Sequence, residues 1–144
     1  MSRIMLQLVR LPDWDRRLAR LVSSIGVEPG IWGQSDCLMT AAAGIEAVTG
    51  VDIMKPWRGR YKSEAGAARL MRKEGCESVE DVLGTFFGLP EVGRLLAMRG
   101  DVGVVESGGQ LCCGFICDRG FLVRTETGRI LLPQTAIKTA FKVG

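Results

Sequence analysis

The first pattern along the chain is an amphipathic helix that begins after residue 13. Apolar residues recur there at three- and four-residue spacing, and basic residues occupy the opposite face. Asp13 is placed to cap this helix and Gly26 to end it. The basic face is a candidate for contacts with a partner. The apolar positions are Trp14, Leu18, Leu21, Val22 and Ile25, and the basic positions are Arg16, Arg17 and Arg20.

A second helix is predicted over residues 37–49, where nearly every residue is apolar or small. Glu46 is the single charged residue in this run. A helix that is apolar all round is typical of a buried, central position. Asp36 or Ser35 is expected to cap it and Gly50 to end it.

Two more helices are predicted before residue 90. Ser63 precedes one that runs to about Lys73, and Ser78 precedes a shorter one that reaches Phe86. Residues 54–61 between the second and third helices form an irregular connector.

After Gly100 the pattern changes to short apolar runs joined by glycine-bearing turns, which is typical of antiparallel strands. We therefore predict an α+β fold in a single domain, residues 1–144, with helices first and an antiparallel meander or small barrel second. The predicted strands are residues 102–105, 111–117, 121–125, 130–132 and 140–143.

The composition of the chain argues against several classes of function. The formal net charge of +3 is small and the basic residues alternate with acidic ones, so nucleic-acid binding is not expected. No apolar run approaches the roughly 20 residues of a membrane span, and the start of the chain lacks the features of a secretory signal. Five irregularly spaced cysteines do not suggest a disulfide framework, which favours synthesis in a reducing cytoplasm. No cofactor is expected.

The candidate chemistry lies at Cys37, which follows the segment Trp32-Gly33-Gln34-Ser35-Asp36. A thiol in the first turn of a helix lies near unsatisfied N–H groups and the positive end of the helix dipole, both of which favour the nucleophilic thiolate. The neighbouring amide could also stabilise an oxyanion. The alternative is that Cys37 is an inert buried cysteine, a common role for a free thiol.

The motifs around Cys37 resemble those of the papain-like cell-wall peptidases of the NlpC type. The chain is more closely similar to a family of phage and prophage tail-cluster proteins within that superfamily. The resemblance extends from about residue 14 to the last residue. The motifs that carry it are Trp32-Gly33-x-x-Asp36-Cys37, Thr49-Gly50-x-Asp52, Arg58-Gly59-Arg60-Tyr61, Gly66-Ala67, Arg99-Gly100-Asp101-Val102 and Lys142-Val143-Gly144.

The resemblance implies a papain-like fold in which the Cys-bearing helix packs on the sheet, and a catalytic histidine on the second strand. Gly114 matches the glycine of the family's His-x-Gly pattern, which puts Cys112 at the histidine position and Arg124 near the third catalytic position. The chain contains no histidine. Neither replacement can exchange protons as an imidazole does, and a slip of one residue would bring Cys113 to Cys37 instead.

Three hypotheses follow from the resemblance and this departure from it. The first is a phage tail protein of the tail tip or its assembly, inactive as a peptidase and acting through contacts with other tail proteins. It would be made in the host cytoplasm and then carried in the virion tail. The second is a cysteine peptidase or amidase with Cys37 as nucleophile, acting on cell-wall peptides and thus contacting peptidoglycan. The third is a thiol-based redox or metal-binding module.

Two further groups of residues have open interpretations. Cys112, Cys113 and Cys117 share one predicted strand, where they fill the interior as small apolar residues, or Cys112 bonds reversibly to Cys37. A metal site is disfavoured because the chain has neither a C-x-x-C motif nor a histidine. The connector residues Trp57, Arg58, Arg60 and Tyr61 are of the types enriched at protein interfaces. The alternative is that the two aromatic residues cover the core and the arginines face solvent.

Overall fold

The computed structural model describes residues 8–144, which form helices followed by a sheet. The mixed α+β class and this order of elements are as predicted. The helices are α1 (Trp14–Ser24), α2 (Cys37–Thr49), α3 (Glu64–Lys73) and α4 (Val79–Asp81), and a π-helical turn, Val82–Phe86, continues α4. The strands are β1 (Glu91–Val92), β2 (Val102–Ser107), β3 (Gln110–Cys117), β4 (Gly120–Thr125), β5 (Gly128–Leu132) and β6 (Thr139–Phe141), with a 3₁₀ turn at Gln134–Ala136.

The six strands form one antiparallel sheet in the order β1-β6-β2-β3-β4-β5. The five predicted strands are all present, and β1 is an additional strand of two residues that pairs with β6. The sheet is open, because its edge strands β1 and β5 do not pair with each other. The expectation of a small barrel was therefore wrong, while the meander over β2 to β5 is confirmed.

Local sequence explains where the central helix begins and ends. The Asp36 side chain accepts hydrogen bonds from the backbone N–H groups of Leu38 and Met39, which caps α2. Gly50 ends it in the left-handed conformation, with φ of 78°. The predicted cap of α1 is wrong in its chemistry, since Asp13 precedes that helix but its side chain makes no capping hydrogen bond.

The sheet is buried on both faces. One face packs on α2 within a core that extends from Leu18 of α1 to Val143 near the C-terminus. The other face carries a smaller apolar cluster that includes Phe121, Val123 and Ile137. This explains why strands β2 to β4 contain nearly continuous apolar runs, which is typical of strands covered on both sides.

Strands β3 and β4 pair along only part of their length. Their register runs from Gly114 opposite Val123 to Cys117 opposite Gly120. The first half of β3 continues to pair with β2, and the end of β4 continues to pair with β5. The two strands therefore diverge beyond Gly114, next to the start of α2.

No helix within residues 8–144 is long and apolar enough to cross a membrane.

Candidate functional site around Cys37

Asp36 organises the loop that presents Cys37. Its carboxylate accepts four hydrogen bonds: from the N–H groups of Leu38 and Met39 at 3.0 and 3.1 Å, from Gly33 N–H at 2.7 Å and from the Tyr61 hydroxyl at 2.9 Å. The residue is 6% exposed. Because these donors surround it, the carboxylate is a structural anchor and has little capacity left to accept a proton from Cys37.

The connector residues dock on the same loop. Gly59 N–H donates to the Gly33 carbonyl at 2.9 Å, and the Trp32 and Tyr61 rings meet edge to face at 6.4 Å. A side chain at Gly33 would lie 2.1 Å from the Tyr61 carbonyl oxygen, and Gly33 has a φ of +81°. Two motifs that are separate in the sequence therefore form one unit around Asp36.

Cys37 lies beside the cysteines of β3. The Cys113 Sγ donates to the Cys37 Sγ at 3.8 Å, and Cys112 lines the second of two cavities together with Cys37. The sulfur contact is thus made by Cys113, the residue expected there after a slip of one position, and not by Cys112. All five cysteines are free thiols.

The surroundings of Cys37 favour its protonated form. The hydrogen bond with Cys112 lowers the pKa of Cys37, but the hydrogen bond with Cys113, burial and repulsion by Cys113 together raise it well above its usual value. The hydrogen bond with Cys37, followed by burial, raises the pKa of Cys112 as well. These surroundings oppose the thiolate that the helix start was expected to favour.

Two cavities meet at Cys37. The first, of about 330 Å³, is lined mainly by aromatic and apolar side chains with acidic residues and no basic one, whereas the second, of about 240 Å³, is lined mainly by polar residues and lies where β3 and β4 diverge. Residues that line both are Trp32, Asp36, Cys37, Gln110 and Leu111.

Arg124, which the resemblance put near the third catalytic position, lines the second cavity together with Cys37. It also lines a third cavity, beside α1 and α2. Its Nε atom is buried and has no hydrogen-bond partner. This is the one such buried side-chain nitrogen or oxygen among the residues that the structure describes.

The four connector residues proposed as an interface do not form one exposed surface. Trp57 and Tyr61 are 2% and 5% exposed and belong to the core, because Trp57 packs on a pair of phenylalanines and Tyr61 bonds to Asp36. Arg58 and Arg60 are exposed, and their role in an interface stays a prediction. On α1, Arg17 donates to the Ala47 carbonyl, so it holds α1 on α2.

The remaining motifs of the resemblance also have structural roles. Asp52 forms an ion pair with Arg58 at 2.7 Å. Asp101 accepts from the Val143 N–H at 2.9 Å and pairs with Arg10 at 3.0 Å, which joins the motif before β2 to the closing motif. These contacts give several of the motif residues a structural role.

Sequence reasoning missed two cavity residues, Glu64 and Gln110. The Gln110 side-chain amide donates to the Glu64 carboxylate at 3.2 and 3.4 Å, and both residues line the first cavity. No sequence signal connects them, since 46 residues separate them. Within residues 8–144 no group of three or more cysteine, aspartate or glutamate side chains is arranged to hold a metal ion.

Comparison with protein families gives one match. The model of the family described as a domain of unknown function, DUF6950, matches residues 9–143. Because the match covers nearly the whole chain, the chain belongs to this family. Comparisons with curated proteins and with solved structures found no match.

Proposed function

We propose that this member of the DUF6950 family is a phage or prophage tail protein of the tail tip or its assembly, which binds another tail protein and does not hydrolyse peptides. The motifs shared with tail-cluster proteins support the tail assignment and the papain-like character of the scaffold. One observation supports the absence of hydrolysis: the Cys37 thiol faces the thiols of Cys112 and Cys113, where a peptidase needs a base.

Hydrolysis by a cysteine enzyme requires a group that takes the thiol proton and later donates one to the leaving amine. Among residues 8–144, the group that hydrogen-bonds with the Cys37 sulfur is the Cys113 thiol, and none of the carboxylates in the two cavity walls makes such a bond. The Arg124 guanidinium can donate hydrogen bonds but cannot accept one. Asp36 is held by four donors, and the Tyr61 hydroxyl donates to Asp36 while burial raises the pKa of Tyr61. General acid–base catalysis contributes about 10²- to 10⁴-fold, so its loss alone removes most of the rate.

The cleft beside Cys37 supports binding in place of catalysis. The first cavity combines the Trp32 and Trp57 rings with Met71 and Leu111, and Glu64 and Glu77 also line it. Aromatic and methionine side chains are enriched at protein interfaces because they bury large apolar areas. The cleft therefore suits a side chain or short segment of a partner protein.

We expect no hydrolysis of peptidoglycan fragments between pH 6 and pH 9. The raised pKa of Cys37 keeps its thiol protonated over most of this range, and no base assists its ionisation. Liquid chromatography of muropeptides after incubation with the protein should give the same profile for the wild type and for Cys37→Ala, with an active peptidase as positive control. Cleavage that Cys37→Ala abolishes would contradict the proposal and establish the peptidase alternative.

We expect that filling the first cavity prevents capture of the partner. Ala68 of α3 lines this cavity, whereas Ala65 on the same helix is exposed and outside it. Ala68→Leu should lower co-purification with co-expressed tail proteins of the same phage at least about tenfold, since a clash of 1–3 kcal/mol is typical of overpacking. Ala65→Leu is the matched control and should leave capture unchanged. Equal capture by both variants would exclude this cavity as the contact.

A further inference from the structure

We propose that Arg124 binds a carboxylate group of a peptide segment that enters the second cavity. This inference deepens the proposed function, because the carboxylate would belong to the bound partner protein. Arg124 lines the same cavity as Cys37, and it forms no ion pair with the residues that the structure describes.

The position of Arg124 makes it accessible from the cleft. It lies near the end of β4, beyond the last pair that joins β4 to β3, and the second cavity occupies this gap. Cys37 and Cys112 contribute to the same cavity wall, as does the Gln110 side chain. A ligand group in the gap would therefore lie against both the guanidinium and the cysteine cluster.

The guanidinium has no partner among the residues that the structure describes. Its Nε is buried without a hydrogen bond, and none of the three ion pairs in residues 8–144 includes it. Two acidic residues line the third cavity: Asp52 pairs with Arg58, and Glu46 takes part in none of these ion pairs. The side chain as a whole is half-buried. Because a buried polar atom without a hydrogen bond opposes folding, the unpaired Nε of Arg124 favours a ligand group that accepts from it.

The surroundings select a carboxylate over a dianionic phosphate. Arg124 is the only basic residue in the wall of the second cavity, while Asp36 and Glu126 are acidic. One guanidinium can neutralise one negative charge, and its planar donors match the two oxygens of a carboxylate. A dianion would leave an excess negative charge facing both acidic residues. Thr125 and Thr127 add hydroxyl groups at the same wall.

The test follows the Nε–H resonance of Arg124 in the ¹⁵N-labelled full chain during titration with small carboxylates at constant ionic strength. The probes are N-acetylglycine, which represents a chain terminus, and N-acetylglutamic acid α-amide, which represents an acidic side chain. N-acetylglycinamide is the neutral control, and inorganic phosphate tests the dianion. We expect a saturable shift with at least one carboxylate, a weaker one with phosphate and none with the amide; the tighter carboxylate identifies the source.

Arg124→Gln provides the matched variant, and Arg119→Gln, at an exposed arginine outside the cavity, is its control. Arg124→Gln should bind the preferred carboxylate at least about tenfold more weakly, as expected for loss of a charge-assisted hydrogen bond. Because Arg124→Gln lacks the Nε–H group, its affinity for the carboxylate is measured from the chemical-shift changes of the Cys112 and Thr125 backbone amides. Arg119→Gln should bind as the wild type does.

Absence of a saturable shift in the wild type, or equal affinity in Arg124→Gln, would overturn the assignment. Stronger binding of phosphate than of either carboxylate would also overturn it. These results do not depend on the identity of the partner, so failure of the carboxylate site is distinguishable from failure of the proposed function, which the hydrolysis and capture experiments test.

Discussion

Asp36→Ala is expected to lower the free energy of unfolding by about 3–5 kcal/mol, because it removes the acceptor of four hydrogen bonds in a buried position. Loss of the α2 cap alone costs about 1 kcal/mol. The rest comes from Gly33 N–H and the Tyr61 hydroxyl, which would lose their partner in a buried position. Urea unfolding monitored by circular dichroism measures the change.

Asp13→Ala is the control for this prediction. Asp13 also precedes a helix, but its side chain makes no capping bond, so only a favourable charge at the helix start is lost. The expected cost is below about 1 kcal/mol. Tyr61→Phe should give an intermediate loss, since it removes one of the four donors. If Asp36→Ala were no more destabilising than Asp13→Ala, the anchoring role of Asp36 would be refuted.

Gly114→Ala should destabilise the protein by at least about 3 kcal/mol, more than ordinary overpacking, because rigid backbone opposes the new methyl group. A Cβ at this position would lie 2.0 Å from the Leu122 carbonyl oxygen of β4. Strands β3 and β4 are paired over only four residue pairs, of which Gly114 with Val123 is the first. Separation of the backbones there would shorten the ladder further. Thermal unfolding and amide exchange of Leu122 report the effect.

Gly93→Ala is the matched control. A Cβ there would meet nothing closer than the Leu96 side chain at 3.7 Å, which is ordinary contact. Its expected effect on the unfolding free energy is below about 1 kcal/mol. A Gly114→Ala variant as stable as Gly93→Ala would show that the two strands can separate freely. The experiment also bears on the resemblance, because it assigns this glycine a packing role that needs no neighbouring histidine.

The elements that sequence predicted well are those with strong local signals. The bounds of α2 follow from an acidic cap, an unbroken apolar run and a glycine that adopts the left-handed conformation. The strands β2 to β5 were visible because glycine-bearing turns separate short apolar runs. Asp13 shows the limit of this reasoning, since a residue of the right type at the right position does not make the expected bond.

The features that sequence did not predict depend on contacts between distant segments. Strand alternation separates Cys112 from Cys113, but only the packing of β3 on α2 decides how closely each sulfur approaches Cys37. The same limit applies to Trp57: its residue type suits both an interface and a core, and its contacts with phenylalanines from the π-helical turn and the residue after it decide in favour of the core.

Local sequence patterns also cannot predict whether the sheet closes into a barrel. Short antiparallel strands fit both a barrel and an open sheet, and the outcome depends on whether the edge strands meet. Here the chain adds the two-residue strand β1 at one edge, while β5 forms the other. A strand of two residues gives too short a pattern to detect in advance.

The divergence of β3 and β4 separates the part of the sheet that maintains its geometry from the part that borders the cleft. The paired residues between Gly114 and Gly120 hold the strands together, whereas Cys112 and Arg124 project from segments that do not pair with each other. Each of these segments still pairs with its other neighbour, Cys112 with Val105 of β2 and Arg124 with Arg129 of β5. A change of side chain at the cleft therefore leaves both the ladder between β3 and β4 and the order of the strands intact.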